Sequence, residues 1–327
     1  MSGEPVFLTG ATGFVGGHVA RALLDAGYPV TALARRGSHR PPELAGCRWV
    51  EGDLRRPGEL VGQLEGCRYL VHVAACYSFA PARRGEIWAT NVTGTAGLLE
   101  AARLAGVERA VVTSSSATAG PARDGRPATE ADHADPTDSS AVYHRSKVEQ
   151  ERAALASRLP VVLLLPTTPV GPGDRRPTPT GKLIVDFMHG RMFGYVPGGM
   201  NLVPVEDVAR AHVLALSRGR PGERYLLGGD NRRFTEIWAT LAELCGRPAP
   251  RLRVPYGLAL ALGWADELRC RLQHGQEPLV PLEGVAMSRH YMFATSDKAR
   301  AELGFAPGPS RAALARAVEW FRDQHDA

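Results

Sequence analysis

The stretch that most limits what this chain can become is Val6-Phe7-Leu8-Thr9-Gly10-Ala11-Thr12-Gly13-Phe14-Val15-Gly16. Val6 to Leu8 reads as a short buried strand, and Phe14, Val15, Val19 and Leu23 recur at helical spacing behind it. Between strand and helix stand three glycines, each three residues from the next. The first permits a tight strand-to-helix turn, the second lets backbone approach a pyrophosphate, and the third lets the helix pack closely on the sheet. Amides at the helix N-terminus, and the helix dipole behind them, then favour phosphate. A glycine triplet alone is common in ordinary turns; the flanking strand and helix make this one a candidate dinucleotide loop. Its cofactor contacts would be Gly10, Thr12, Gly13, Phe14, Val15 and Gly16.

Strand and helix patterns alternate through the first half, which predicts a doubly wound parallel α/β sheet, the Rossmann arrangement. Pro29 to Ala34 reads as the second strand. An acidic residue at its end would hold an adenosine ribose 2′-hydroxyl. Ala34, Arg35 and Arg36 stand there instead. With no carboxylate to repel a 2′-phosphate and two guanidinium groups to bind one, NADP(H) is expected over NAD(H); the alternative is a solvated loop with NAD(H) as cofactor. Trp49 to Leu54, Tyr69 to Ala75, Val111 to Ser116 and Val161 to Pro166 read as further strands.

Tyr143 and Lys147 lie four apart in a helical pattern running to Leu155, so they share one face. A lysine ammonium beside a phenol lowers its pKa, and the phenol can then give or take a proton near neutral pH. A Tyr/Lys pair at this spacing also occurs by chance on helix surfaces. Behind a glycine loop and a strand with a serine-rich end, it reads as a catalytic pair. His144 is expected on another face, towards solvent.

The wording Thr-Gly-Ala-Thr-Gly-Phe-Val-Gly at 9–16, with Tyr143-x-x-x-Lys147, resembles the extended branch of the short-chain dehydrogenase/reductase superfamily, the NAD-dependent epimerase/dehydratase family. Pro177-Thr-Pro-Thr-Gly-Lys182 and Asn201-Leu-Val-Pro-Val-Glu-Asp-Val-Ala209 look most like its hopanoid-associated sugar epimerase group, close to dihydroflavonol reductases. The resemblance runs from Pro5 to about Phe321. It implies that Asp53, followed by Leu54, accepts from the adenine amino group, that Ala74 and Ala75 pass close to the cofactor, and that Asn91 braces the active-site strand. It places the catalytic hydroxyl on Ser115, with Ser116 the alternative, and Pro166 near the nicotinamide with Thr168 towards substrate. Lys182 and Asn201 are further substrate-binding candidates. Two departures stand out: Leu165 replaces the family's arginine, and Met200-Asn201-Leu202 replaces the Arg-Asp-aromatic of nucleotide-sugar epimerases. A homodimer through 95–105 and 142–156 is implied by the same analogy.

The chain has 327 residues, 44% hydrophobic and 22% charged, enough for a full core. Its net charge of +5 comes from arginines scattered along the chain rather than interleaved with aromatics, so small anionic molecules are expected as partners and nucleic acid is not. The five cysteines are scattered without metal-ligand spacing, so no metal is expected, and they fit a reducing cytoplasm. No apolar run is long enough for a membrane span, and the first residues do not read as a signal peptide. The expected division is a dinucleotide-binding domain over 1–166 and a smaller mixed, mainly substrate-binding part over 167–327, with segments near 200–229, among them Gly199 to Ala209 and Tyr225 to Gly229, returning to the first sheet. Phe234 to Leu244 and Arg311 to Phe321 read as amphipathic helices. Leu258 to Leu272 reads as small-domain core or as a lid over substrate.

The expected activity is hydride transfer between NADP(H) and a carbonyl or secondary alcohol of a sugar- or polyol-like molecule, by Ser115, Tyr143 and Lys147. One alternative is a nucleotide-sugar epimerase with tightly held NAD and no net redox change. Another is a cofactor-binding regulatory protein without turnover.

Overall fold

The computed structural model describes residues 3–78, 81–122, 124–135, 142–192, 194–272, 280, 282–287 and 291–326. The first six strands are β1 (Val6–Thr9), β2 (Val30–Ala34), β3 (Arg48–Glu51), β4 (Tyr69–His72), β5 (Arg109–Thr113) and β6 (Val161–Pro166). After them come β7 (Thr168–Val170), β8 (Gly194–Tyr195), β9 (Gly199–Pro204) and β10 (Arg224–Leu227). β10 joins the first six in a seven-stranded sheet of order β10-β6-β5-β4-β1-β2-β3, parallel throughout. The chain order reverses at β1, which lies between β2 and β4. This is a doubly wound α/β sheet with its switch point at the glycine loop.

A parallel sheet covered on both faces needs strands apolar on both sides, and β6 is buried along its whole length. Alternate residues of β1 enter different cores. Val6 and Leu8 pack with Val19 and Leu23 of the helix Phe14–Asp25 and with Val208 and Ala211 of the helix Val205–Arg218. Phe7 packs on the other face with Leu98 and Leu99 of the helix Thr95–Leu104.

β4 and β5 end at His72 and Thr113, earlier than the sequence pattern predicts. One further bond follows each strand, Val73 N–H to Thr9 O at 3.3 Å and Ser114 N–H to Leu164 O at 2.7 Å. The chain then leaves the sheet, so Ala74, Ala75, Ser115 and Ser116 lie beyond the strand ends.

The remaining strands, β11 (Asp230–Arg233), β12 (Leu252–Arg253) and β13 (Tyr291–Met292), serve smaller sheets. β9 pairs antiparallel with β11 and parallel with β7 and β13, while β8 pairs with β12. This corrects one expectation: Gly199–Pro204 builds a second sheet instead of rejoining the first, because β10 occupies the place beside β6. The helix Val205–Arg218 and β10 do return to the central sheet. A further core of Ile184, Phe187, Trp238, Leu241, Leu314 and Phe321 joins the helices Pro179–Met188, Phe234–Cys245 and Ser310–Asp326. Among the described residues, no helix is long and apolar enough to cross a membrane.

Candidate active site

The segments leaving the carboxyl ends of β1 through β6 converge on one cleft of about 3110 Å³. That exceeds the roughly 300–1,000 Å³ of a single small-ligand pocket and leaves room for a dinucleotide together with a second molecule. The position, outside the strand ends at the switch point, is where open α/β sheets bind ligands.

At the floor, Gly10 adopts φ +86°, and a Cβ on it would lie 2.7 Å from Ala74 N. A Cβ on Gly16 would overlap the Gly10 carbonyl oxygen. Gly13 caps the helix Phe14–Asp25 with extended backbone and no side-chain bond. Without side chains the loop folds tightly on itself and against the end of β4, which brings the helix N-terminus to the floor of the cleft, a geometry that fits a pyrophosphate. Thr12, Gly13, Phe14 and Val15 all line the cleft.

The end of the cleft beside β2 and β3 is arginine-rich. Arg35 and Arg36 follow β2, both exposed and both on the cleft; Arg35 lies 3.9 Å from Glu86. Asp53 is engaged by its neighbour: Arg55 donates to it from its backbone N–H at 2.9 Å and from Nε at 3.0 Å. Those hydrogen bonds pull its pKa down to about 2, so Asp53 is an anion at neutral pH. Leu54 is buried against the cleft, and Ala74 and Ala75 line it.

Tyr143 and Lys147 stand one turn apart on the helix Val142–Leu155, and both line the cleft. Lys147 is 2% exposed, and its Nζ donates to Thr113 O at 2.9 Å and to Gln150 Oε1 at 2.6 Å. Burial lowers its pKa to about 8, against the opposing pull of Glu151. It therefore carries its charge at neutral pH, tied to the end of β5. The Tyr143 ring lies against the Tyr77 ring, centroids 4.2 Å apart.

The serines differ in their engagements. Ser114 is buried and donates to Glu151 Oε1 at 2.6 Å. Ser115 is extended, lines the cleft, and its Oγ accepts from Ala117 N–H at 3.2 Å, capping a short 3-10 turn. Ser116 lines the cleft as well. The arrangement offers a phenol beside an ammonium, with a hydroxyl nearby to hold a reacting oxygen.

Asn91, fully buried, braces two parts of this centre. Its Oδ1 accepts from Cys76 N–H at 2.7 Å, and its Nδ2 donates to Cys76 O and Ser146 Oγ at 3.1 and 3.0 Å. The segment after β4 is thereby joined to the helix of Tyr143 and Lys147. His144 is half-buried on the cleft and not out in solvent, because its helix runs along the cleft wall.

Past β6, Pro166, Thr168 and Lys182 line the cleft, and Lys182 pairs with Asp186. Asn201 does not reach it. It is 1% exposed within β9, accepts from Thr167 Oγ1 and Gly229 N–H at 2.8 Å each, and donates to Asn231 Oδ1 at 2.7 Å. With its amide spent on holding the second sheet together, Asn201 is corrected from ligand contact to scaffold. Beyond Lys182 the wall carries Met192, Met200, Phe234, Tyr256, Met292 and Trp320, with the charged pair Asp186 and Arg191 beside them.

Sequence reasoning missed a buried polar chain behind Lys147. Gln150 Nε2 donates to Thr95 Oγ1 at 3.0 Å; Thr95 Oγ1 bonds His72 Nε2 at 2.8 Å; His72 Nδ1 bonds Thr9 Oγ1 at 2.7 Å. Thr9 Oγ1 in turn accepts from Ala74 N–H at 3.2 Å. Burial, reinforced by Lys147, lowers the His72 pKa to about 3 and keeps it neutral. A continuous chain thus links Lys147 to the strand that carries the glycine loop. Only Gln150, three residues past Lys147, left a local signal.

A family model described as the NAD dependent epimerase/dehydratase family matches residues 6–228. A Synechocystis protein bearing the name of a dihydroflavonol 4-reductase is 41% identical over 326 residues, covering 97% of this chain and 94% of the relative. Sterol demethylase protein B of Methylococcus capsulatus is 36% identical over 97% of this chain and 98% of its own length. The crystal structure of a nucleoside-diphosphate-sugar epimerase from Pseudomonas aeruginosa superposes with a TM-score of 0.82 at 28% identity, covering 99% of each chain.

Proposed function

This chain belongs to the NAD-dependent epimerase/dehydratase family, and on that premise we propose that it transfers hydride, with net redox change, between NADP(H) and a ketone or secondary alcohol on a bulky apolar molecule. The observation that carries this reading is Lys147, buried and charged one turn from Tyr143, beside the serine-rich end of β5.

The Gly10–Gly16 cradle would hold the pyrophosphate and Arg35 and Arg36 the 2′-phosphate, with Asp53 and Leu54 at the adenine and Ala74, Ala75 and Pro166 along the remainder. When bound, the nicotinamide supplies or accepts the hydride. Ser115 Oγ donates to the reacting oxygen and fixes its position. The Tyr143 hydroxyl gives that oxygen its proton during reduction and takes it back during oxidation. The Lys147 ammonium stabilises the phenolate left behind, and its remaining N–H would help to hold the nicotinamide ribose. Thr168 and Lys182 flank the substrate.

The substrate class draws on two supports. One is the group of apolar side chains Met192, Met200, Phe234 and Trp320 on the cleft wall. The other is the pair of relatives named for a dihydroflavonol 4-reductase and a sterol demethylase protein. A second reading, epimerisation of a nucleotide sugar on tightly held NAD, is favoured by Arg175 and Arg176 on the cleft, which suit a diphosphate, and by the epimerase among the solved structures.

Calorimetric titration with NADPH and NADH, in parallel with Arg35→Ala/Arg36→Ala, tests the reading. Exchangeable binding that favours NADPH by about tenfold or more, roughly 1.4 kcal/mol, and loses that preference in the variant is expected. NAD carried through purification, or a preference for NADH, would put the epimerase first.

A further inference from the structure

The helix Tyr256–Leu272 is apolar on two sides, and only one of them is covered. Ala259 packs inward with Val254 and Val285, each under a tenth exposed. On the outer side Leu258, Leu262, Leu268 and Leu272 are 53%, 40%, 59% and 73% exposed. Together with exposed Ala265 they follow one helix face through four turns, and Trp264, 63% exposed, borders them. Single exposed leucines are ordinary, but a continuous stripe of this length marks a surface that meets something else.

We propose that this stripe docks on a lipid bilayer surface carrying anionic headgroups. Charge is the first argument. The helix's two acids are already answered: Asp266 by Arg269 at 2.7 Å, Glu267 by Arg84 at 3.8 Å. Arg251 and Arg253, exposed on the segment that leads into the helix, have no ion-pair partner among the described residues. The chain just before the stripe therefore carries two positive charges that no acid among the described residues answers. Leucines with a tryptophan at the border and arginines just before them in the chain form the pattern of a helix lying in the membrane interface.

Size is the second argument. A stable protein interface takes about 20–30 residues a side, and one helix face supplies far fewer, so a second copy of this chain would be weakly held here. Reversible adsorption to a bilayer needs only a buried apolar face and attraction to anionic lipid. Location is the third. Tyr256, the first residue of this helix, lines the catalytic cleft, as do Gly284 and Met292. A docked stripe would set the cleft beside the bilayer, where a molecule of apolar body resides. The location argument rests on the apolar substrate of the proposed function, whereas docking itself is measured without turnover, so the two can fail separately.

The test is co-sedimentation of the full chain with vesicles of phosphatidylcholine alone, or of phosphatidylcholine and phosphatidylglycerol in equal parts. Leu262→Glu/Trp264→Glu and Arg251→Glu/Arg253→Glu serve as variants. Both pairs are exposed, and an unchanged circular dichroism spectrum and melting temperature verify that each variant is folded. The wild type is expected to sediment with the mixed vesicles about tenfold more than with phosphatidylcholine alone, and both variants to lose that binding. Absence of wild-type binding to the mixed vesicles, or undiminished binding by Leu262→Glu/Trp264→Glu, would overturn the proposal. So would a concentration-dependent dimer in analytical ultracentrifugation that this variant abolishes, because the stripe would then belong to a second copy.

Discussion

Replacing Lys147 by methionine removes the buried ammonium while keeping most of the side-chain volume. Two acceptors, Thr113 O and Gln150 Oε1, lose their donor, a cost that does not change with pH. The charge term does change. Burial lowers the Lys147 pKa from 10.5 to about 8. Between those values the unfolded chain binds a proton that the folded chain does not, so the lysine's contribution to stability rises with pH across the window. Below about pH 8 the ammonium is charged in both states, and the full penalty of burying it is present. Above about pH 10.5 it is neutral in both, and the penalty is gone. At 1.36 kcal/mol per pKa unit the swing is about 3 kcal/mol in favour of the wild type as pH rises. The assay is urea unfolding of wild type and Lys147→Met without cofactor, from about pH 7 to about pH 10.5. Other titrating groups cancel in the difference. A difference that stays flat within about 0.5 kcal/mol would refute the assignment of a buried, charged Lys147.

Three further outcomes follow from single contacts. Gly16→Ala sets a methyl group against the Gly10 carbonyl; nucleotide affinity should fall by about tenfold or more, measured by calorimetry with circular dichroism to confirm the fold. Arg224→Met strands Glu151, its ion-pair partner at 3.1 Å with both side chains 7% exposed, and should cost about 3–5 kcal/mol in urea unfolding. Burial holds His72 and His212 neutral, with pKa values of about 3 and about 4. Since the unfolded histidines take up protons near pH 6.5, stability should decline as pH falls from about 6.5 towards 4, and His72→Asn should flatten that decline.

What could be read in the sequence was local. The β1–glycine–helix unit and the Tyr143/Lys147 pair each lie within a few residues, and their chemistry follows from spacing. Asp53 is visible too, but its engagement by Arg55 two residues on depends on a turn that residue type alone does not specify. Sheet membership was harder: β9 is apolar enough for either sheet, and only its pairing with β7, β11 and β13 decides. The place of Asn201 is not legible for the same reason, since its partners Thr167, Gly229 and Asn231 come from other segments. The polar chain of Gln150, Thr95, His72 and Thr9 draws on four elements. The helix Tyr256–Leu272 is apolar enough for the interior, and nothing local tells that half its circumference is bare.

The central claim is net hydride transfer with Tyr143 as proton donor. Its most direct measurement is transfer of label from NADPH deuterated at the nicotinamide C4 to a panel of cyclic ketones, including 3-ketosteroids, followed by mass spectrometry. Wild type and Tyr143→Phe are compared at saturating cofactor. The account predicts deuterium on the carbinol carbon with the wild type, and a rate lower by a factor of about 10²–10⁴ in Tyr143→Phe, with nucleotide binding unchanged. Equal label from both proteins would contradict it.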